Sequence, residues 1–239
     1  MTTRQRRAAR TRAAEAAGTK RLATRIVAFA GAAALALGAL YWLAGTSSAQ
    51  TKSAPHEPLA GQYPYQVGKP GPGAKAPPIR LPSTAGGTLD LASLRGQGTP
   101  LRAQRVLLYF QEGIMCQPCW DQLKNIESNM EGFRALGIGS IVTITTDPID
   151  ALRQKAALER LSTPVLSDPD LSVSKAYDAN SYGMMGRSRN GHSFIVLDRD
   201  GTILWRADYG GAPKYTMYVP VPNLLADMRA GLAKAGASG

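Results

Sequence analysis

Cysteine is almost missing from this chain: its 239 residues hold two, Cys116 and Cys119, and histidine is as scarce, with only His56 and His192. A structural zinc site usually takes four ligands, and neither a second Cys-x-x-Cys nor a His-x-His is present to complete one. No cysteine follows the apolar run near the N-terminus, which excludes a lipid-modified cysteine there. No internal repeat is visible, so solenoids and propellers are set aside. Acidic residues are rare at the start. The first 25 residues carry eight Lys and Arg against Glu15 alone, so the net charge of +11 divides into +7 there and +4 beyond. The basic character belongs to one arm, and no nucleic-acid partner is expected from it.

The segment after that arm accounts for its charge. Residues 26–44 contain no charged side chain, and as a helix they would extend about 28 Å, close to the hydrocarbon thickness of a bilayer. Tyr41 and Trp42 lie near the far end, where aromatic rings favour the interface, and the preceding arginines keep the N-terminus cytoplasmic. A cleaved signal peptide is the competing reading, with Ser47-Ser48-Ala49 as a cleavage site, although the apolar stretch exceeds the usual length. The expected organisation is a basic cytoplasmic tail at 1–25, a membrane anchor at 26–45, a Pro/Gly/Ser-rich flexible linker at 46–75 and an extracytoplasmic globular domain at 76–239. The linker assignment rests on Pro55, Pro58, Pro64, Pro70 and Pro72 and on the lack of apolar periodicity.

Within the domain the pattern alternates. Short strands are expected at 79–81 and 88–91 around a Gly86-Gly87 turn, and a strand covered on both faces at 106–110, where the apolar run is continuous. A helix carrying Trp120, Leu123, Ile126, Met130 and Phe133, its stripe broken by Glu127, should stop at Gly137. A strand at 141–145, a helix at 149–161, a strand at 164–166 and a short helix at 171–177 come next, which requires at least part of the sheet to be parallel. A hairpin turning at Asp198-Arg199-Asp200-Gly201 and a final helix at about 223–234, with Asn223 as N-cap, close the domain.

Both cysteines fall in Phe110-Gln-Glu-Gly-Ile-Met-Cys-Gln-Pro-Cys119, between the central strand and its helix. Thiols three positions apart can close a small disulfide ring, and a helix N-terminus favours the thiolate of the first. A redox pair is the expected chemistry; half of a metal site and an inert structural disulfide are the alternatives. Around the pair, Glu112 is either a proton relay or a solvated loop carboxylate, and His192 either meets the cysteines or is an ordinary polar residue at a strand start. Arg187 and Arg189 either favour the Cys116 thiolate or are solvated. Trp120 should pack over the motif, and Met115, Met184 and Met185 should be core or lid residues in preference to ligands.

This order, with Ala76-Pro77, Leu94-Arg95-Gly96, Leu107-Leu108-Tyr109-Phe110, Cys116-Gln117-Pro118-Cys119 and Phe194 to Gly201, resembles the thioredoxin superfamily from about Val67 onward. Within it the chain is similar to redoxins of the alkyl hydroperoxide reductase and thiol-specific antioxidant group and to membrane-tethered thioredoxin-like proteins of bacteria. The resemblance implies an α/β thioredoxin fold, a mixed parallel and antiparallel sheet with helices on both faces, preceded by the transmembrane helix and linker. It further implies Cys116 as attacking thiolate, Cys119 as resolving thiol, no cofactor or metal, protein thiol or disulfide clients, and a separate electron donor. Peroxiredoxins place Pro and Thr seven and three residues before their attacking cysteine, where Tyr109 and Gly113 stand here. Gly191 takes the place of their late arginine and of the thioredoxin cis-proline. Peroxide reduction and copper handling, the latter with a distant His, are the alternative functions.

Overall fold

The computed structural model describes residues 59–94 and 104–237. The expected basic tail, the membrane anchor and the linker up to residue 58 lie outside the described residues; among those described, no helix is long and apolar enough to cross a membrane.

Strand β3 (Arg105–Phe110) is the middle of a five-stranded sheet. On one side it pairs in parallel with β4 (Ile138–Thr145), which pairs in parallel with β5 (Val165–Ser167). On the other it runs antiparallel to β6 (Ser193–Leu197), followed by β7 (Ile203–Asp208). The expected mixed sheet is thus the one observed, in the order β5-β4-β3-β6-β7. Alternation along β3 divides the core. Leu107 and Tyr109 point to one face, where they meet α2 (Gln117–Ser128), α4 (Ile149–Glu159) and α6 (Val221–Ala237) through Trp120, Leu123, Leu152, Leu224 and Met228. Val106, Leu108 and Phe110 point to the other, packing with Ile79 and Leu81 near the hairpin β1 (Arg80–Pro82) and β2 (Thr88–Asp90), with Leu91 of α1 (Leu91–Leu94) and with Val173 of α5 (Ser172–Ala176). Burial on both faces is why β3 is apolar at every position from Val106 onward. Each such side chain contributes roughly 1.5–3 kcal/mol of transfer free energy.

The long helix expected as far as Gly137 is in fact two, α2 and α3 (Met130–Ala135). At the break, Ser128 Oγ donates to the Lys124 carbonyl and Asn129 Nδ2 to that of Asn125, so side chains compete with the backbone ladder. Gly137 then leaves the helix at a φ of 77°, which favours glycine. Glu127, the polar interruption in the stripe, accepts hydrogen bonds from the backbone N–H groups of Ser162 and Thr163 and so ties α2 to the loop before β5. The last helix starts two residues before the expected N-cap. Asn223 lies inside it and donates its side-chain amide to Gln62 Oε1 at 2.6 Å.

The boundary expected at residue 76 comes too late. Gln66 and Asp208 exchange backbone hydrogen bonds of 3.0 and 2.8 Å, and Gly73 donates to the Ile203 carbonyl, so this stretch runs beside β7 as an interrupted strand. A fully buried ion pair secures it. Arg206 Nε and Nη2 donate to the two Asp208 carboxylate oxygens at 2.8 and 3.0 Å, Arg206 Nη1 donates to the Pro70 carbonyl, and Gly68 N–H donates to Asp208 Oδ2. On the opposite side of the sheet, Ser83 bridges Leu166 of β5.

Candidate active site

Cys116 occupies the N-cap of α2, with its N–H bonded to the Gly113 carbonyl and Pro118 in the first turn, where a missing N–H costs nothing. Cys119, three residues on, is bonded to it as a disulfide with a Cα separation of 5.3 Å. The two sulfur-bearing residues differ in exposure: Cys116 retains 7% and Cys119 none. That asymmetry arises from the helix, which turns its second cysteine toward Tyr109 and the sheet.

The loop before the pair is held by an internal network. Gly113 adopts a φ of 104°, and a Cβ there would lie 1.8 Å from Asp147 Oδ2. No threonine fits where the carboxylate of Asp147 already stands. Asp147 accepts from the Ile114 N–H and the Thr145 hydroxyl through one oxygen, and pairs with Arg189 Nη1 at 2.9 Å through the other. The same Arg189 nitrogen donates to the Glu112 carbonyl at 3.0 Å. Arg189 is therefore partly exposed and engaged by Asp147 and the Glu112 carbonyl, whereas Arg187 is exposed and pairs loosely with Asp178. Glu112 is not a solvated carboxylate: it is buried, and its Oε1 accepts the Met184 N–H at 2.6 Å. Trp120 packs as expected, fully buried, with its indole N–H donated to the Gly113 carbonyl.

His192 reaches the pair only through an intermediary. Its Nδ1 is 3.0 Å from the Tyr109 hydroxyl, which donates to the Cys119 carbonyl at 3.2 Å. Burial raises the Tyr109 hydroxyl well above its ordinary range, with a smaller push from the charge of Glu112, and burial alone lowers His192 to about 3. The interior accommodates the neutral imidazole. The unfolded chain takes up a proton near the ordinary value of 6.5 that the folded chain refuses until about pH 3. Stability is then lost as pH falls through that window, by up to about 1.4 kcal/mol per unit from this group. In urea unfolding at pH 7, 5.5 and 4.5, His192→Phe should lose less stability than the parent; parallel losses would refute the assignment. Gly191 is confined by the backbone behind it, since a Cβ there would lie 1.3 Å from the Tyr182 carbonyl oxygen.

The methionines are not core. Met115, Met184 and Met185 are 85, 57 and 55% exposed. With buried Met217 and with Glu112, Cys116, Pro118 and Arg189 they line a pocket of about 230 Å³ beside the first cysteine. Asp147 and Met217 had no signal in the sequence, the first reading as a strand end and the second lying outside any periodic stretch. On the other side of the motif Gln117 is bound into a charged surface, accepting from Lys155 and donating to Asp121 and Glu159. Among the described residues no group of three or more His, Cys, Asp and Glu side chains is placed to hold a metal ion.

The model of the AhpC/TSA family matches residues 72–206, more than half of the chain, and the match takes in the central strand, the disulfide and most of the closing hairpin. The chain belongs to the AhpC/TSA family. A protein of Mycobacterium tuberculosis strain H37Rv, named provisionally as a peroxiredoxin, is 33% identical over 138 residues, which cover 56% of this chain and 82% of that protein. Peroxiredoxin Bcp of Escherichia coli strain K12 is 30% identical over 131 residues, 54% of this chain and 79% of that one. Among solved structures, Peroxidoxin BcpB of M. tuberculosis shares the fold with a TM-score of 0.53 at 22% identity, covering 66% of this chain and 96% of the other. This AhpC/TSA protein is thus a thiol-dependent oxidoreductase whose family works by cysteine redox chemistry without a cofactor.

Proposed function

We propose that this AhpC/TSA protein is a membrane-anchored, extracytoplasmic thiol–disulfide oxidoreductase in which Cys116 attacks and Cys119 resolves. The observation that carries the reading is the unequal pair itself, a disulfide whose first member caps a helix N-terminus beside a pocket and whose second is sealed beneath it. Backbone N–H groups at that terminus favour the Cys116 thiolate. In the reducing direction the thiolate attacks one sulfur of a client disulfide, the client S–S bond breaks, and the departing thiolate takes a proton. Cys119 then loses its proton and attacks Cys116 Sγ. The second client thiolate leaves, and two electrons have passed to the client as the internal disulfide forms. An external dithiol restores the pair. The uncharged stretch at 26–44 and the basic arm before it support the anchored, outward-facing placement.

The peroxiredoxin relatives favour a second reading. Cys116 would take one oxygen from a hydroperoxide to give a sulfenic acid, releasing water or an alcohol, and Cys119 would condense with it to the same disulfide, releasing one water. Cys119→Ser separates the two. Under thiol–disulfide exchange it accumulates mixed disulfides with clients through Cys116, seen as dithiothreitol-sensitive adducts on a non-reducing gel. Adducts forming nowhere, with Cys116 fully alkylatable, would eliminate exchange; stoichiometric sulfenic acid on peroxide addition would favour the second reading.

A further inference from the structure

Four of the chain's seven methionines stand around one sulfur. Met115 comes from the loop entering α2, Met184 and Met185 from the loop before β6, and Met217 closes the floor. Of the seven exposed large hydrophobic side chains among the described residues, three are these methionines, gathered on one pocket beside Cys116. We propose that this pocket receives the uncharged, apolar side chain adjoining the cysteine of a disulfide-bonded polypeptide client. The proposal rests on the thiol–disulfide reading above and names what that site selects.

Size, charge and texture argue for this occupant. The pocket of about 230 Å³ is several times the roughly 30 Å³ that a water molecule claims in the liquid, so a hydrogen peroxide molecule would leave most of it unfilled. Its two ionisable walls are engaged inward, Glu112 by the Met184 N–H and Arg189 by Asp147 and the Glu112 carbonyl. Arg189 is already paired with Asp147, and Glu112 has no cationic partner among the described residues, so an acidic client residue placed there would lose water and meet a like charge. Thioether chains are flexible and polarisable, which lets one pocket fit several aliphatic or aromatic shapes. The bond from Met184 N–H to Glu112 joins the two loops that form the rim, so the walls stand ready before a client arrives. Cys116 shares the pocket, so whatever fills it must neighbour the sulfur under attack.

The test uses the full chain in detergent, reduced, carrying Cys119→Ser. Symmetrical disulfides of the peptides Gly-Xaa-Cys-Gly-Gly, with Xaa as Leu, Ser or Asp, are offered, and the rate of mixed-disulfide formation is read by mass spectrometry relative to hydroxyethyl disulfide. Leu should exceed Ser by about tenfold, the scale set by burying an aliphatic side chain, with Asp slower still. Adding Met184→Ser and Met185→Ser should shrink the Leu-to-Ser ratio to about threefold or less. Equal rates for the three peptides, or a ratio untouched by the rim substitutions, would overturn the proposal. So would rim substitutions that slow cumene hydroperoxide consumption but not the peptides, or that abolish a concentration-dependent dimer seen in sedimentation. Failure of hydroxyethyl disulfide to react at all would instead refute the thiol–disulfide reading.

Discussion

Cys116→Ser is expected to reduce turnover of any disulfide or hydroperoxide substrate to background, a fall of about a thousandfold or more, because it removes the group proposed to make the first bond. Cys119→Ser should fall almost as far in steady state and yet keep a stoichiometric first step, since the sulfur with residual exposure is retained. The two variants therefore separate under single-turnover conditions. A dithionitrobenzoate burst of one equivalent from Cys119→Ser and none from Cys116→Ser is the expected result; a burst from Cys116→Ser would reverse the roles. The hydrophobic surroundings of Cys119, including Tyr109 and Trp120, make the difference in access a property of the fold rather than of the two thiols.

The second large effect concerns stability. Asp208→Asn leaves the Arg206 guanidinium fully buried without its counter-charge, which should cost about 3–5 kcal/mol in urea unfolding. It also weakens the acceptor for the Gly68 N–H, so the segment at 61–75 should become the first site of limited proteolysis. The double substitution Arg206→Met with Asp208→Leu removes both ions together and should recover much of the loss. If Asp208→Asn is as stable as the parent, the pair does not secure the segment.

How far the sequence can be read depends on where each feature draws its signal. The continuous run at 106–110 marks a strand covered on both sides because both packing clusters draw on it, and two cysteines three apart at the entry to a helical stripe are visible at once. The segment at 61–75 resembles a spacer in sequence because it is fixed through its backbone, by Gln66, Gly68, Pro70 and Gly73, and main-chain hydrogen bonds leave no hydrophobic period. The same holds around the disulfide. Glu112, Asp147 and Arg189 come from three separate loops, and only folding turns a loop carboxylate and a loop guanidinium into a closed network. Methionine is ambiguous in a sequence, since its thioether suits a core and a rim equally, and the structure places Met115, Met184 and Met185 on an exposed pocket rim instead of in the core.

Neither border strand of the sheet stands open. Ser83 and Thr84 lie along β5, and Gln66, Gly73 and Lys75 lie along β7, so each border ladder that would otherwise recruit another chain is interrupted by the chain's own backbone. Unpaired ladders are the usual nuclei for fibril growth and for grafting foreign strands. Removing residues 61–75 would therefore strip one of these covers, and the trimmed domain should precipitate at concentrations the untrimmed one tolerates.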